Sequence, residues 1–203
     1  MKIIKQNFEF TQAPRYDFVL ETIENAARNC YQSESKGNPE KFLRGLIKSG
    51  HTSVLEHVNI GVKIVTDRGL THEIVRHRIG VAYSQSSTRY CNYNNDKFGS
   101  EITVIKPSQI HHGSPEYYNW IYAINVCENV YLTMIDEGTS PQTARSVLPT
   151  CLATTIHMTL NIQSWRHFFK LRASAKAHPD MKILACELLD AFKKLWPVFF
   201  ENF

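Results

Sequence analysis

Arginine, histidine and hydroxyl side chains crowd residues 76–90, which read RHRIGVAYSQSSTRY. Arg76 and Arg78 flank His77, and Ser84, Gln85, Ser86, Ser87 and Thr88 lead to Arg89. Hydroxyls and loop N–H groups closed by an arginine form a cradle for a phosphate, and the guanidinium adds a two-pronged fork that lysine lacks. Cations at a helix end also suit the helix dipole, which accounts for one arginine without any ligand but not for the hydroxyls beyond it. A nucleophilic Ser87 activated by His77 would need an orienting acid, and the chain has no GxSxG elbow.

A second cluster, GHTSVLEH at 50–57, holds His51, Ser53, Glu56 and His57. In a turn before a strand these side chains converge, although a turn that only caps the strand would use the same residues. There is no HExxH, and the spacing from His51 to His57 is not a zinc pattern. Two further arginines stand apart, Arg145 in ARSVLP and Arg172 beside Phe168, Phe169 and Leu171. A guanidinium among apolar neighbours either snorkels to water or serves a pocket. Asn161, Gln163 and His167 precede Arg172 and offer neutral hydrogen-bonding groups, which suit an uncharged heterocycle better than a phosphate.

The elements that must position these groups follow from periodicity. Val19, Ile23, Ala26 or Ala27 and Cys30 predict a helix over 16–31, and Phe42, Leu43, Leu46 and Ile47 another over 39–48 with Gly50 as its stop. Val58, Ile60, Val62 and Ile64 then alternate with other residues, the period of a strand with one buried face. Asp67 caps a predicted short helix running through Leu70, Ile74 and His77. Residues 83–90 read as loop, and 91–113 as loop with a short strand at 102–105. Ser114-Pro115-Glu116 opens a long helix ending at Gly138. Ser140-Pro141 opens another that carries Arg145 and stops at Pro149. A strand over 154–160 follows, then a helix over 165–173 capped by Ser164, and a last helix opened by Pro179. This order predicts an α+β (mixed α/β) fold in one domain, 1–203, with a small antiparallel sheet flanked by helices.

Bulk properties remove several classes. Net charge is +4 with nine histidines taken as neutral, and no Lys/Arg block or basic-aromatic cluster marks a nucleic-acid surface. Five cysteines of irregular spacing, without a CxxC pair, suit free thiols in a reducing compartment. The start MKIIKQNFEF has no apolar leader core, and no apolar run approaches the roughly 20 residues of a membrane span. A cytoplasmic, membrane-free protein is expected. Neither GxGxxG nor GxxxxGK[ST] is present.

Taken together, these pieces resemble the flavin-dependent thymidylate synthases, whose signature is RHR, seven residues, Ser, any residue, Arg. Arg76-His77-Arg78 and Ser87-Thr88-Arg89 match its two ends. AARNCY (26–31), HTSVLEH (51–57), ARSVLP (144–149) and NIQSWRHFFKLRASAKAHPDMK (161–182) resemble further family segments in the same order. The resemblance implies reductive methylation of dUMP to dTMP, with methylenetetrahydrofolate as carbon donor, FAD as hydride carrier and NADPH as reductant. It implies a homotetramer with active sites shared between subunits. It assigns His51, Ser53 and Glu56 to the flavin and folate, and Arg76, His77, Arg78, Ile79, Asn161, Gln163 and His167 to FAD. It assigns Glu73, Arg76, Gln85, Ser86, Ser87, Thr88, Arg89, Arg145 and Arg172 to dUMP, with the phosphate on Ser87, Arg89 and an Arg145 from another subunit. Arg172 is the catalytic residue, stabilising charge on the N3/O4 side of the uracil ring. No protein nucleophile attacks the base, since the cofactor carries the hard chemistry.

Three departures from the family pattern bear on the site. Eight residues rather than seven separate Arg78 from Ser87, with the extra one within Gly80–Ala82. Gln163 and Lys182 stand where the family has arginine, and His167 where asparagine is frequent. Ser86 stands where an acidic or apolar residue is common. These changes leave open UMP or dCMP as substrate, or a flavin- or nucleotide-binding protein without synthase activity.

Overall fold

The structure is a computed structural model that describes residues 1–30, 32–35, 37–95 and 99–203. Tyr31, the last residue of the AARNCY segment, lies outside the described residues. Among them are six strands and eight α-helices. The chain divides into two compact units. Unit 1 comprises Met1–Asn7, Ile64–Arg76 and Ser84–Ile156; unit 2 comprises Phe8–Lys63, His77–Tyr83 and His157–Phe203.

Four strands, β2 (Asn7–Gln12), β3 (Asn59–Asp67), β6 (Ala153–Asn161) and β4 (Val81–Gln85), form one sheet in the order β2-β3-β6-β4, and each has residues in both units. Hydrogen bonds at the strand ends give their directions. Arg68 N donates to Leu152 O and Ile162 N to Val58 O, so β3 and β6 run antiparallel. Ser86 N to Thr155 O and Asn161 N to Gly80 O set β6 and β4 antiparallel as well. The small antiparallel sheet expected from the sequence is therefore present. A second sheet was not anticipated: β1 (Lys2–Ile4) and β5 (Thr103–Ile105) pair in parallel, Lys2 opposite Thr103.

Unit 2 is built around aromatic side chains. Trp165, Phe168, Phe169, Phe192, Trp196, Phe199 and Phe200 are all buried. They come from α6 (Ile162–Arg172), α7 (Pro179–Leu195), α8 (Pro197–Phe200) and the residue between the last two. Most of their rings meet edge-on or tilted, as in Trp165 on Phe192 at 4.8 Å, while Trp165 stacks on Phe169 at 5.7 Å; ring quadrupoles favour edge-on and offset-stacked contacts alike. Both buried indoles have partners: Trp165 Nε1 donates to Ile60 O at 3.0 Å and Trp196 Nε1 to Pro14 O at 3.0 Å. Helices α1 (Tyr16–Asn29) and α2 (Pro39–Lys48) complete the unit, together with a 3-10 turn, Ser53–His57.

Unit 1 contains α3 (Arg68–Ile74), α4 (Pro115–Asp136) and α5 (Pro141–Ala144) together with the parallel strand pair. Its core includes Ile102, Val104, Ile124 and Leu152. Glu128 is buried on α4 and accepts from Ile102 N at 2.9 Å while facing the Met1 ammonium at 2.9 Å. A buried carboxylate needs such partners to be tolerated.

Several boundaries correct the sequence reading. Residues 81–85 are strand β4, not loop, with Val81, Tyr83 and Gln85 half-buried and Ala82 and Ser84 exposed. Helix α3 ends at Ile74, so His77 lies beyond it. The helix opened by Pro141 is a single turn that passes into a 3-10 turn, Arg145–Val147. Helix α6 starts at Ile162 and is capped by Asn161, whose Oδ1 accepts from Ser164 N at 2.7 Å. Ser164 sits in the first turn instead, because the last residue of β6 is already extended and presents the better acceptor.

The Asp67 cap holds as expected, with Oδ1 accepting from Leu70 N at 2.8 Å in a buried setting. Asp67→Ala should lower the unfolding free energy by about 1–2 kcal/mol. Urea titration would show this as a lower midpoint at unchanged slope.

Candidate functional site

In unit 2 the site forms around His77, which is only 7% exposed. Its Nε2 accepts from Arg172 Nε at 3.0 Å. A nitrogen that accepts from a guanidinium carries no proton, so the ring is the neutral tautomer with its hydrogen on Nδ1. Burial first, then the charge of Arg172 and that of His167, push its pKa down to about 4. The ring also packs on His167 at 5.7 Å and Phe168 at 5.0 Å between centroids. Arg172 closes α6 and is half-buried, while His167 is exposed one turn before it. Its guanidinium therefore does not simply snorkel, because its Nε is committed to the imidazole.

The loop from His77 to Tyr83 is tied at three points. Tyr83 Oη donates to His77 O at 2.8 Å, Ser164 Oγ donates to Ile79 O at 2.8 Å, and Asn161 N donates to Gly80 O at 3.4 Å. Burial raises the Tyr83 phenol to about 12, against the opposing pull of Arg172, so it remains a donor. Gly80 turns the loop at φ +64°, and a Cβ there would lie 2.6 Å from Asn161 Nδ2 and 2.8 Å from Ser164 Oγ. Only glycine satisfies both demands. The ties leave the Ile79 side chain 86% exposed, and Arg78 is exposed beside it. Asn161 is buried, and Gln163 carries a buried Oε1 without a hydrogen-bond partner among the described residues. His51, Ser53 and Glu56 are exposed on or beside the 3-10 turn, which Leu55 anchors in the core. Both α1 and α6 pack against this turn.

In unit 1 the hydroxyl-rich segment is a tight turn at the end of β4. Cys91 N and Tyr90 N both donate to Ser87 O, and Arg89 N donates to Ser87 Oγ at 3.3 Å. Ser87 thus heads the turn, in the way serine hydroxyls close such bends. Three arginines gather on it. Arg145 Nη1 donates to the buried Thr88 Oγ1 at 3.3 Å, Arg68 Nη1 to Ser86 O at 3.4 Å, and Arg89 Nε to Gln142 Oε1 at 3.1 Å. One chain therefore brings its own Arg145 to Thr88. Concentrated guanidinium charge beside a hydroxyl turn suits a phosphate-sized anion. Gln85 Nε2 donates to Thr71 Oγ1 at 3.0 Å and Thr154 Oγ1 at 3.3 Å, which fixes the amide. Glu73 is half-buried at the end of α3, and Arg76 is exposed, its N donating to Glu73 O.

Four participants escaped sequence reasoning: Arg68, Gln142, Tyr83 and Ser164. Arg68 is the first residue after a helix cap, and Tyr83 keeps the period-two spacing of β4, so both left a faint signal. Gln142 and Ser164 left none, because their partners are 53 and 85 residues away.

The fold and these clusters define a mixed α/β enzyme domain. The family described as thymidylate synthase complementing protein matches residues 17–198. The chain is 34% identical to the flavin-dependent thymidylate synthase of Mycolicibacterium gilvum (strain PYR-GCK) over 202 residues, 89% of this chain and 78% of that protein. It is 33% identical to the enzyme of the same name from Geobacter sulfurreducens over 193 residues, 87% of this chain and 78% of the relative. Among solved structures, a UMP/dUMP methylase, PolB from Streptomyces cacaoi bound with 5-Br dUMP, superposes with a TM-score of 0.81 at 22% identity, covering 99% of this chain and 96% of that one. The chain belongs to the flavin-dependent thymidylate synthase family and is a methyltransferase.

The depressed His77 pKa has a consequence for stability. In the unfolded chain the ring takes up a proton below its ordinary 6.5, and in the folded chain only below about 4. The unfolded state binds more protons in that window, so stability should fall as pH drops from about 6.5 towards 4. In His77→Gln the slope of unfolding free energy against pH over this window should be shallower than in the parent.

Proposed function

We propose that this chain catalyses the reductive methylation of dUMP to dTMP, acting in the cytoplasm as a homotetramer with shared active sites. Each chain works as a single catalytic domain over 1–203. The observation that carries this reading is the Arg172–His77 hydrogen bond at 3.0 Å. It orients a guanidinium beside Phe168 and Tyr83, where surrounding charge is weakly screened.

The turn Ser87–Arg89, with Arg145 and Arg68, would take the nucleotide phosphate as a multiply hydrogen-bonded dianion. Arg172 of unit 2 would act, by the family resemblance, on the N3/O4 edge of a pyrimidine in a site shared between subunits. C5 of uracil becomes nucleophilic as negative charge builds on that edge, and a preoriented guanidinium stabilises the charge as it forms. His77, being neutral, accepts from Arg172 without competing for that charge. Gln85, its N–H groups engaged by Thr71 and Thr154, holds β4 and the turn after it in register.

Unit 2 fits a flavin adenine dinucleotide on two counts. The buried Gln163 Oε1, which has no partner among the described residues, is an acceptor for an N–H, and the exposed Ile79 offers an apolar surface to a ring. His77, Arg78, Ile79, Asn161, Gln163 and His167 would hold the group, with Arg76, His51, Ser53 and Glu56 completing the flavin and folate contacts. Bound there, FAD would supply hydride chemistry, replenished by NADPH, to complete the methyl group from the methylenetetrahydrofolate carbon. Gln163 supplies an acceptor where the family pattern has a cation.

A second reading, UMP as substrate, draws support from the loop one residue longer than the family pattern and from the name of the PolB structure, a UMP/dUMP methylase. Incubating the protein with FAD, NADPH, methylenetetrahydrofolate and, in turn, dUMP, UMP and dCMP separates the readings by product mass. Methylated dUMP in excess is expected. Methylation of UMP alone would transfer the assignment to the second reading, and no methylated nucleotide would sink both. Arg172→Ala should lower kcat by about 10²-fold or more while the fold and assembly persist. Arg89→Ala should act chiefly on the KM for the nucleotide.

A further inference from the structure

Between α1 and α2, within unit 2, lies a cavity of about 830 Å³ that the clusters described above do not use. Its α2 side is one stripe, Asn38, Lys41, Phe42, Gly45, Leu46 and Ser49, at the three–four spacing of a single helix face. Gly45 keeps the floor low, since a Cβ there would meet nothing within 4 Å. From α1 comes Arg28, whose side chain is only 11% exposed. Its Nε donates to the buried Glu24 at 2.8 Å, and its guanidinium lies over the Phe42 ring at 4.2 Å. Among the described residues nothing bonds its Nη groups. No carboxylate of the described residues lines the cavity. Glu24 is taken by Arg28 and Ser35, and Glu40 by Tyr16 and Arg44.

The groove changes character along its length. At the N-terminal end of α2 stand the exposed Lys41 ammonium and Asn38. The Oδ1 of Asn38 already accepts from Lys41 N at 3.0 Å, so its Nδ2 is left to donate. The positive end of the helix dipole adds to both. Phe42 and Leu46 make the middle apolar. The far end is Ser49, two residues before His51. From Lys41 to Ser49 the helix rises about 12 Å. A matching ligand is anionic at one end, planar and apolar in the middle, and continues past Ser49 towards His51. Benzoylglutamate has that order: two carboxylates, an amide, then a benzene ring, which in methylenetetrahydrofolate leads on to the pterin. The geometry points to this groove as the seat of the p-aminobenzoylglutamate tail of the folate. The inference rests on the reading above that gives His51 and Ser53 to flavin and folate, and it adds the surface for the other half of that co-substrate. The carboxylates meet Lys41, Asn38 Nδ2 and the Arg28 Nη groups, where ionic hydrogen bonds are of the stronger kind. The ring lies against Phe42 and Leu46, where its apolar area leaves water.

The test uses calorimetry on the FAD-loaded protein with two probes. One is 5-formyltetrahydrofolate, a stable folate with the whole tail; the other is 6-methyltetrahydropterin, the head without it. Gly45→Leu fills the groove and favours the helix, and Lys41→Glu places an acid at a helix N-terminus, so both variants should fold. Each should raise the Kd for the folate about tenfold, as expected for losing one charged contact, and leave that for the pterin unchanged. Lys48→Glu, the same charge change on α2 outside the groove, should bind like the parent. The KM for methylenetetrahydrofolate should rise in step, with the KM for dUMP unchanged. Equal folate binding in the parent and both groove variants would overturn the groove and leave the reaction standing. A raised KM for NADPH with folate unaffected would give the groove to the dinucleotide and overturn the assignment. A parent that binds folate through the groove yet methylates no nucleotide would overturn the reaction alone, and a parent that binds no folate would overturn both.

Discussion

The burial of one histidine sets most of what unit 2 does. A 7% exposed imidazole beside a guanidinium cannot keep a second proton, so His77 is neutral and its Nε2 is an acceptor. That acceptor fixes Arg172 by its Nε and gives the guanidinium a defined plane. The backbone on either side of the ring must then return to β4 within six residues, and Tyr83, Ser164 and Asn161 each secure part of that return. Gly80 is the cost in sequence freedom, since its positive φ and its 2.6 Å approach to Asn161 exclude a side chain. Arg78 and Ile79 are left facing outward as the remaining consequence.

Unit 1 solves a different problem. A turn rich in hydroxyls and N–H groups has no intrinsic preference for an anion until cations surround it. Arg89 belongs to the turn and is tied to Gln142, while Arg68 and Arg145 reach it from elsewhere in the sequence, bonded to Ser86 O and Thr88 Oγ1. Those contacts are modest individually because the groups are partly solvated. Their joint effect is to hold like charges near one another, an arrangement that an anionic ligand relieves. The clamp of Thr71 and Thr154 on Gln85 ties the start of this turn to the sheet.

Elements with local signals were legible. Helix α2, the start of α4 and the Asp67 cap follow from side chains within four residues of one another, and the structure has them where periodicity and capping chemistry place them. Strand β4 was obscured because its polar residues, Ser84 and Gln85, resemble a loop. Its half-buried side is made by Val81, Tyr83 and Gln85, and Gln85 belongs there only because two threonines from α3 and β6 satisfy its amide. The start of α6 was displaced by three residues for a related reason. Two good capping side chains, Asn161 and Ser164, stand in one turn of each other, and the one at the strand end wins.

By itself the amino-acid sequence determined the family, the residue types of both clusters and the sites where this chain departs from its relatives, because each is a matter of identity and spacing. It also determined that Glu128 is the one charged residue between Tyr117 and Ile135. Only the tertiary structure decided that His77 is neutral, that Arg172 is held by it and that Gln163 buries an acceptor without a partner among the described residues. Those properties depend on solvent exclusion and on contacts across 85 to 105 residues of chain. Protonation and orientation are set by the local dielectric and by hydrogen-bond partners, and neither exists until the chain has closed around them.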